Sequence, residues 1–220
     1  MLSADTEIAE KEKVFDAMAE RWDVDGPKVP VFKIRELIEE ADVCGKIVLD
    51  VGAGTGILLE EGLAAGCASW IACDISKKML LVLERKIAGS FTAGPNWSCT
   101  NRDGQVIVML CADAHRLPLE SESVDRIICH NAFPHFKSPP AVLENFFRVL
   151  TPGGIAVINH FAGRNTVNQI HLSSAFAVLR RDLLMPGEEL GKLLKRAGFE
   201  VVKTVDTESE FRVVARKAKP

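Results

Sequence analysis

Residues 48–56 read VLDVGAGTG, an apolar run followed by three glycines at alternating positions. The apolar run begins near residue 46 and suits a buried strand of a parallel sheet. Glycine lacks a Cβ, so alternating glycines allow a sharp turn and a close approach between the backbone and a ligand. Ile57 stands where the dinucleotide-binding pattern GxGxxG has its last glycine. The segment predicts a strand, a ligand-binding turn and the start of a helix.

A second predicted strand, residues 69–73, is followed by Asp74. An acidic residue about 20 positions after such glycines is placed to accept hydrogen bonds from the hydroxyls of a ribose. The pattern therefore favours a cofactor that contains adenosine. Both NAD and S-adenosylmethionine contain this ribose, so Asp74 does not distinguish between them.

Four sequence blocks, taken in order, resemble those of class I S-adenosylmethionine-dependent methyltransferases. They are VLDVGAGTG at 48–56, ACDIS at 72–76, CADAHRLPLESESVDRIICHNAF at 111–133 and RVLTPGGIAVINHF at 148–161. Residues 14–23, VFDAMAERWD, are similar to the opening helix of the small-molecule branch that includes quinone C-methyltransferases. The resemblance implies that the cofactor is S-adenosylmethionine and that the acceptor of the methyl group is a small molecule.

The resemblance also implies roles for individual residues near the cofactor. Asp50 would hold the amino group of the methionine part, Asp74 the ribose, and Asp113 the adenine amino group. Backbone at the glycines would pass close to the methionine part, and two apolar side chains would pack on the adenine. The implied cofactor site comprises Asp50, Gly52, Ala53, Gly54, Gly56, Asp74, Ile75, Met79, Asp113, Ala114 and His130.

Strand patterns alternate with helical patterns along the chain, which favours a parallel sheet with helices on both faces. The resemblance implies a Rossmann-like doubly wound α/β sheet of seven strands, mostly parallel with an antiparallel last strand. We predict strands at 46–51, 69–73, 105–111, 124–129, 154–160, 199–205 and 210–216. We predict helices at 5–22, 30–42, 55–65, 76–88, 139–150, 165–181 and 187–197, and a long loop at 89–104.

We expect one methyltransferase domain over residues 1–220. Within it, N-terminal helices in 1–45 would cover the site, and 46–161 would form the cofactor-binding core. Residues 162–198 would supply helices on the acceptor side, and 199–220 a terminal hairpin.

Composition narrows the range of partners. The 220 residues are 47% hydrophobic, enough for one compact core, and the net charge of −3 gives no basic face for a nucleic acid. No apolar run is long enough to span a bilayer, and the first 13 residues are polar and charged, unlike a secretory signal. We therefore expect a cytoplasmic protein without nucleic-acid binding or membrane insertion. Its six cysteines form no CxxC pair and are expected to be reduced. The sequence leaves the oligomeric state open.

Histidines follow the predicted strands at the edge where an open α/β sheet binds its ligands. His130 and His160 end two strands, and His135 lies in the loop after the first of them. His171 and Arg164 share one predicted helix face with Asn168, because they are separated by three or four residues. Histidine can remove a proton from an acceptor at neutral pH. The predicted catalytic residues are therefore His130, His135, His160, His171 and Arg164.

Several alternatives stay open at this stage. These histidines could instead cap turns or satisfy core hydrogen bonds, and Arg164 could be a solvated charge. A metal or metalloid site could be built from His135, His160 and His171, although their spacing matches no known ligand pattern. An NAD(P)-dependent oxidoreductase and a non-catalytic S-adenosylmethionine-binding subunit are the other functional classes. Because the chain contains no tyrosine, a phenolic base is excluded.

Overall fold

The computed structural model describes residues 4–26, 28–94 and 96–219. Its strands are β1 (Ile47–Val51), β2 (Ser69–Asp74), β3 (Thr92–Ala93), β4 (Ser98–Thr100), β5 (Val106–Cys111), β6 (Val124–His130), β7 (Leu150–His160), β8 (Phe199–Asp206) and β9 (Phe211–Lys217). Its α-helices are α1 (Ala4–Met18), α2 (Trp22–Asp25), α3 (Val31–Ala41), α4 (Leu59–Ala64), α5 (Lys77–Ile87), α6 (Pro139–Val149), α7 (Arg164–Leu172) and α8 (Gly187–Arg196).

The described strands form one sheet in the order β3-β4-β5-β2-β1-β6-β7-β9-β8. Strands β5, β2, β1, β6 and β7 are parallel, whereas β9 runs antiparallel between β7 and β8. The chain progresses in one direction from β1 through β2 to β5 and then returns to the other side of β1 with β6. Open α/β sheets bind ligands beyond the carboxyl ends of the strands at such a reversal. The glycine turn after β1 lies at this point.

The predicted Rossmann-like, mostly parallel fold is confirmed, but the predicted number of seven strands is wrong. The sheet has nine strands, because two short antiparallel strands, β3 and β4, lie within the segment predicted as a loop at 89–104. Strands of two and three residues are too short to show a periodic pattern of hydrophobicity. The predicted terminal hairpin is present as β8 and β9.

Three predicted helices are shorter than expected. The helix predicted at 55–65 begins at Leu59, because Gly56 has a φ of +84°, outside the helical region. The helix predicted at 165–181 ends at Leu172, where the Ser173 hydroxyl donates to the carbonyl of Gln169. The helix predicted at 5–22 ends at Met18 and continues as a 3-10 turn before the four-residue α2.

Apolar side chains pack on both faces of the sheet. One cluster contains Phe133, Phe146 and Phe211, and the cluster on the other face contains Leu37 and Trp70. All five side chains are fully buried, and each stabilises the fold by roughly 1.5–3 kcal/mol relative to exposure. The carboxyl ends of the central strands are thereby held in fixed positions.

No helix in the described part of the chain combines the length and the apolar character needed to cross a lipid bilayer.

Candidate functional site

A cleft lies over the carboxyl ends of β1, β2, β5 and β6. It encloses about 760 Å³, its open mouth included. Eight of the predicted site residues line it: Gly52, Gly54, Asp74, Ile75, Met79, Asp113, Ala114 and His135. The ends of four strands therefore bring distant residues into one site. Gly52 and Ala114, for example, are 62 positions apart in the sequence.

The three glycines after β1 all have positive φ, but their surroundings differ. A Cβ at Gly52 would lie 2.3 Å from the Cβ of Ala132, and one at Gly56 would lie 2.6 Å from Leu83. These two glycines therefore permit close packing inside the protein. At Gly54 the nearest atom to an added Cβ is Trp22 Nε1 at 3.8 Å, and Gly54 lines the cleft. Gly54 is thus the glycine that leaves room on the ligand side.

Asp74, at the end of β2, organises the loops around the cleft. Its two carboxylate oxygens accept hydrogen bonds from the backbone N–H of Gly54 and of Ser76, each at 2.8 Å. Burial raises the pKa of Asp74, although these two N–H groups oppose the change. A carboxylate oxygen has two lone pairs, so each can still accept a ribose hydroxyl.

Asp113 forms the opposite side of the cleft together with His115. Asp113 Oδ1 accepts from the Nδ1–H of His115 at 2.6 Å and from its backbone N–H at 3.0 Å. Partial burial acts to raise the pKa of Asp113, but the contacts with His115 lower it overall. The His115 ring is fixed by the backbone N–H of Ser138, which donates to Nε2 at 3.0 Å. Asp113 is thus an ionised acceptor with a fixed direction.

Asp50 lies deeper than the residues of the cleft wall. The residue is 2% exposed, and its Oδ2 has no hydrogen-bond partner among the described residues. Burial and the neighbouring charge of Asp74 raise the pKa of Asp50 to about 7. A buried carboxyl group with an unpaired oxygen is costly, so a nearby ammonium group would stabilise its ionised form.

His135 faces the cleft from the 3-10 turn that follows β6. Its Nδ1 lies 2.7 Å from Oδ2 of Asp182, a residue that is 4% exposed. A carboxylate on Nδ1 keeps the proton on that nitrogen, which leaves Nε2 of the neutral ring free to accept a proton. The ring packs edge-on against Phe15 and 4.8 Å from the ring of His171. The ring of His135 is thus held in one orientation at the wall of the cleft.

Lys11 and His171 both contact Asp182, Lys11 at the carboxylate and His171 at the backbone carbonyl. Lys11 Nζ donates to Asp182 Oδ1 at 2.7 Å and to the carbonyl oxygen of His135 at 2.8 Å. His171 Nδ1 donates to the carbonyl oxygen of Asp182. Burial, together with the charge of His135, lowers the pKa of His171, which keeps its ring neutral near pH 7.

His130 and His160 lie behind the cleft and are not among its lining residues. His130 donates from Nδ1 to the amide oxygen of Asn159 at 2.6 Å, and burial lowers the pKa of His130 to about 4. Burial also holds the pKa of His160 well below its usual value. Within the part of the chain that the structure describes, neither Nε2 has a hydrogen-bond partner. Both rings are therefore neutral and enclosed.

The predicted shared face of α7 is present, but it contacts a loop rather than the cleft. Arg164 pairs with Asp206 at 3.3 Å. The side-chain amide of Asn168 exchanges hydrogen bonds with the backbone of Leu184, and His171 holds Asp182. This face thus fixes the segment that carries Asp182. Ala53 and Gly56 are likewise outside the lining residues.

Helix α1 and the turn after it cover the cleft with Ile8, Lys11, Phe15 and Trp22. Asp16 of helix α1 accepts a hydrogen bond from the Ser76 hydroxyl at 2.6 Å, which links this helix to the loop after β2. A further contact joins Asp23 to the hydroxyl of Thr55, the residue between two of the glycines.

No group of three or more His, Cys, Asp or Glu side chains is arranged to hold a metal ion in residues 4–26, 28–94 and 96–219. The metal alternative built on His135, His160 and His171 therefore has no supporting ligand set in these segments.

Sequence reasoning missed several residues of the site. Lys11, His115 and Asp182 carry several of its polar contacts, and Lys11 and Asp182 lie outside the four sequence blocks. The pattern DAH at 113–115 is a local signal for His115, because an aspartate often accepts from the residue two positions later. Lys11 and Asp182 lie 171 residues apart, so no local pattern could have joined them.

A family model described as "Methyltransferase domain" matches residues 49–158, which is half of the chain. The chain belongs to this methyltransferase domain family. The resemblance to class I S-adenosylmethionine-dependent methyltransferases is thereby confirmed for this domain. The matched residues contain the glycine turn, Asp74 and Asp113, and they end within β7.

Individual relatives agree with this assignment. A demethylmenaquinone methyltransferase from Clavibacter sepedonicus is 33% identical over 122 residues, which cover 56% of this chain and 44% of that protein. A ubiquinone biosynthesis O-methyltransferase from Neisseria meningitidis is 26% identical over 213 residues, covering 90% and 83%. The chain spans about half the length of the first curated relatives it matches.

Solved structures share the fold. The crystal structure of a SAM-dependent methyltransferase from Aquifex aeolicus superposes with a TM-score of 0.65 at 19% identity. The superposition covers 94% of this chain and 98% of the Aquifex chain.

Proposed function

We propose that the protein transfers the methyl group of S-adenosylmethionine to a small-molecule acceptor, with His135 as the general base. One observation carries this proposal. The cleft that contains Gly54, Asp74 and Asp113 is also lined by His135, whose Nδ1 is held by a buried carboxylate. The residues expected to hold the cofactor and the proposed base therefore line the same cleft.

The residues around the cleft fit the parts of the cofactor. Asp74 would hold the ribose hydroxyls and Asp113 the adenine amino group, with Met79 and Ile75 against the adenine ring. The α-amino group would lie near Asp50, whose unpaired oxygen suits an ammonium group. The flexible backbone at the glycine turn would leave space for the methionine part.

Methyl transfer is an in-line displacement on the sulfonium. Bound S-adenosylmethionine would supply an electrophilic methyl group: a lone pair of the acceptor would form the new bond to carbon as the carbon–sulfur bond breaks, and S-adenosylhomocysteine would be the leaving group. The acceptor atom loses its proton to Nε2 of His135. A positioned base of this kind contributes about 10²- to 10⁴-fold to the rate. The enzyme needs no nucleophile of its own, because the sulfonium is already a good leaving group.

The cleft favours an acceptor with an apolar ring and an ionisable hydroxyl. Ile8, Phe15 and Phe136 provide apolar walls, whereas His135 provides a basic group. The relatives named for ubiquinone and demethylmenaquinone are consistent with a quinone-like acceptor. Binding of nucleic acid is not part of the proposal, and cytoplasmic location stays a prediction.

We assign the other predicted catalytic residues supporting roles. His171 holds the backbone of Asp182, and Arg164 fixes the start of α7 through Asp206. His130 and His160 act as neutral groups below the strand ends, where they keep the loops after β6 and β7 in place. In this proposal the N-terminal helices cover the site, 46–161 is the cofactor-binding core and 162–198 supports the acceptor side.

The test uses S-adenosylmethionine with an isotope-labelled methyl group and a small-molecule extract. We expect the wild-type protein to label a discrete metabolite, and His135→Ala to label it at least 10²-fold more slowly. Arg102→Ala serves as a control, because Arg102 is exposed and lies outside the cleft. Equal rates for wild type and His135→Ala would remove His135 as the base. No labelled product in any extract, despite binding of the cofactor, would favour a non-catalytic subunit.

A further inference from the structure

Lys11 is an unusual residue for a surface helix, because its charge lies inside the protein. The residue is 4% exposed although α1 lies on the outside of the fold. Burying an ammonium group is costly unless it is paired and hydrogen-bonded. Lys11 is paired with Asp182 and also donates to the carbonyl oxygen of His135. The cover helix thus reaches both the base and the carboxylate that orients it.

One carboxylate oxygen of Asp182 contacts helix α1, and the other contacts the proposed base, His135. Oδ1 accepts from Lys11 and Oδ2 faces Nδ1 of His135, each at 2.7 Å. His171 fixes the backbone carbonyl of the same residue. Asp182 is thus held at both carboxylate oxygens and at its backbone carbonyl, and the contact with Lys11 opposes rotation of the carboxylate away from the imidazole. Without Lys11, one of these three contacts is lost and Oδ1 is left in a buried position.

The same helix is anchored on the cofactor side five residues later. Asp16 accepts from the hydroxyl of Ser76, and the backbone N–H of Ser76 donates to Asp74. Five residues span about 7.5 Å along an α-helix. Helix α1 therefore joins the carboxylate expected to hold the ribose to the carboxylate that orients His135.

We propose that docking of helix α1 completes the catalytic base, with Lys11 and Asp182 as positioning residues for His135. This inference rests on the proposed function. His135 would hold its catalytic orientation only when helix α1 covers the cleft. Asp16 and Ser76 would link this closure to the loop after β2, which is expected to hold the cofactor. Transfer then begins only when the cleft is covered, which keeps water away from the sulfonium.

The charges around His135 set the expected pH dependence. Asp182 faces the ring from the loop before α8, Lys11 from α1, His171 from α7, His160 from β7 and Asp74 from β2. Removing the cation Lys11 favours the imidazolium, so the acidic limb of the rate profile moves to higher pH. Removing the anion Asp182 has the opposite effect. Because any charge next to the ring moves these limbs, proton exchange at Nδ1 of His135 is the readout that separates positioning from a purely structural contact.

The experiment compares Lys11→Met, Asp182→Asn and the double variant with Lys13→Met, in which an exposed lysine of the same helix is removed. We expect Lys11→Met to lower kcat at least tenfold while the affinity for S-adenosylhomocysteine stays within threefold. The acidic limb should move up in Lys11→Met and down in Asp182→Asn. Lys13→Met should match the wild type. The double variant leaves no unpaired charge, so it tests the inference even if Asp182→Asn fails to fold.

A second readout does not depend on turnover. In ¹⁵N NMR of the complex with S-adenosylhomocysteine, the Nδ1 proton of His135 should be protected in the wild type and exchange rapidly in Lys11→Met. Rates, pH profile and exchange in Lys11→Met that equal those of Lys13→Met would overturn the inference. If the wild type transfers no methyl group, the proposed function fails, and the exchange measurement still decides whether α1 positions the ring.

Discussion

Replacing Asp74 by alanine should weaken cofactor binding and, separately, destabilise the fold. The variant loses the charged acceptor for the ribose, and a hydrogen bond to a charged group contributes about 1.5–3 kcal/mol. This loss corresponds to roughly a 10- to 150-fold lower affinity for S-adenosylhomocysteine. The backbone N–H groups of Gly54 and Ser76 also lose their acceptor, at 2.8 Å each in the wild type. The free energy of unfolding should therefore fall by about 1–3 kcal/mol.

Titration calorimetry with S-adenosylhomocysteine measures the first effect, and urea unfolding of the ligand-free protein measures the second. Asp103→Ala is a suitable control, because Asp103 is an exposed aspartate outside the cleft. Asp74→Asn should be intermediate in stability, since its amide oxygen can accept from one of the two N–H groups. An Asp74→Ala protein that is folded and binds with wild-type affinity would refute the role of Asp74 at the ribose.

Three further predictions concern other parts of the site. Gly54→Val should abolish cofactor binding, because the added side chain would enter the cleft from a residue whose φ is +55°. Circular dichroism should still show a folded α/β protein. Retained binding would mean that the cofactor lies elsewhere. His135→Ala should reduce methyl transfer at least 10²-fold, and His171→Ala roughly tenfold, with cofactor affinity within threefold in both; equal rates in steady-state assays would contradict this. Because the pKa of Asp50 is raised to about 7, the ligand-free protein should lose stability as pH rises from about 4 to about 7, by at most about 1.4 kcal/mol per pH unit. The free energy of unfolding of Asp50→Asn, measured with urea, should not fall in this way as pH rises. If it changes with pH in parallel with that of the wild type, Asp50 is not the cause of the pH dependence.

The sequence predicted the strands around the cofactor because each element there is marked by a local pattern. The run at 48–56 contains an apolar strand and glycines that need positive φ, and Asp74 directly follows an apolar strand. Such signals depend on neighbouring residues alone, so they can be read without the fold. Strands β3 and β4 lack them, because their pairing depends on the edge of β5 rather than on their own composition.

The acceptor side was predicted only in part, for a different reason. His135 and His171 were identified, but the residue that joins them, Asp182, lies in a segment predicted as the start of a loop after a helix. Its partner Lys11 is on a charged helix that resembles a solvated surface in the sequence. The contact between them depends on how α1 packs over the strand ends. Long-range pairing of this kind leaves no trace in a single sequence.

A crystal structure with S-adenosylhomocysteine bound would show directly whether the cofactor and His135 meet in this cleft. We predict that the ribose hydroxyls contact Asp74, that the adenine amino group contacts Asp113 and that the amino acid part lies beside the glycine turn. The sulfur should point toward Nε2 of His135, under helix α1. A cofactor bound outside this cleft, or a sulfur directed away from His135 with Asp182 detached from the ring, would contradict this prediction.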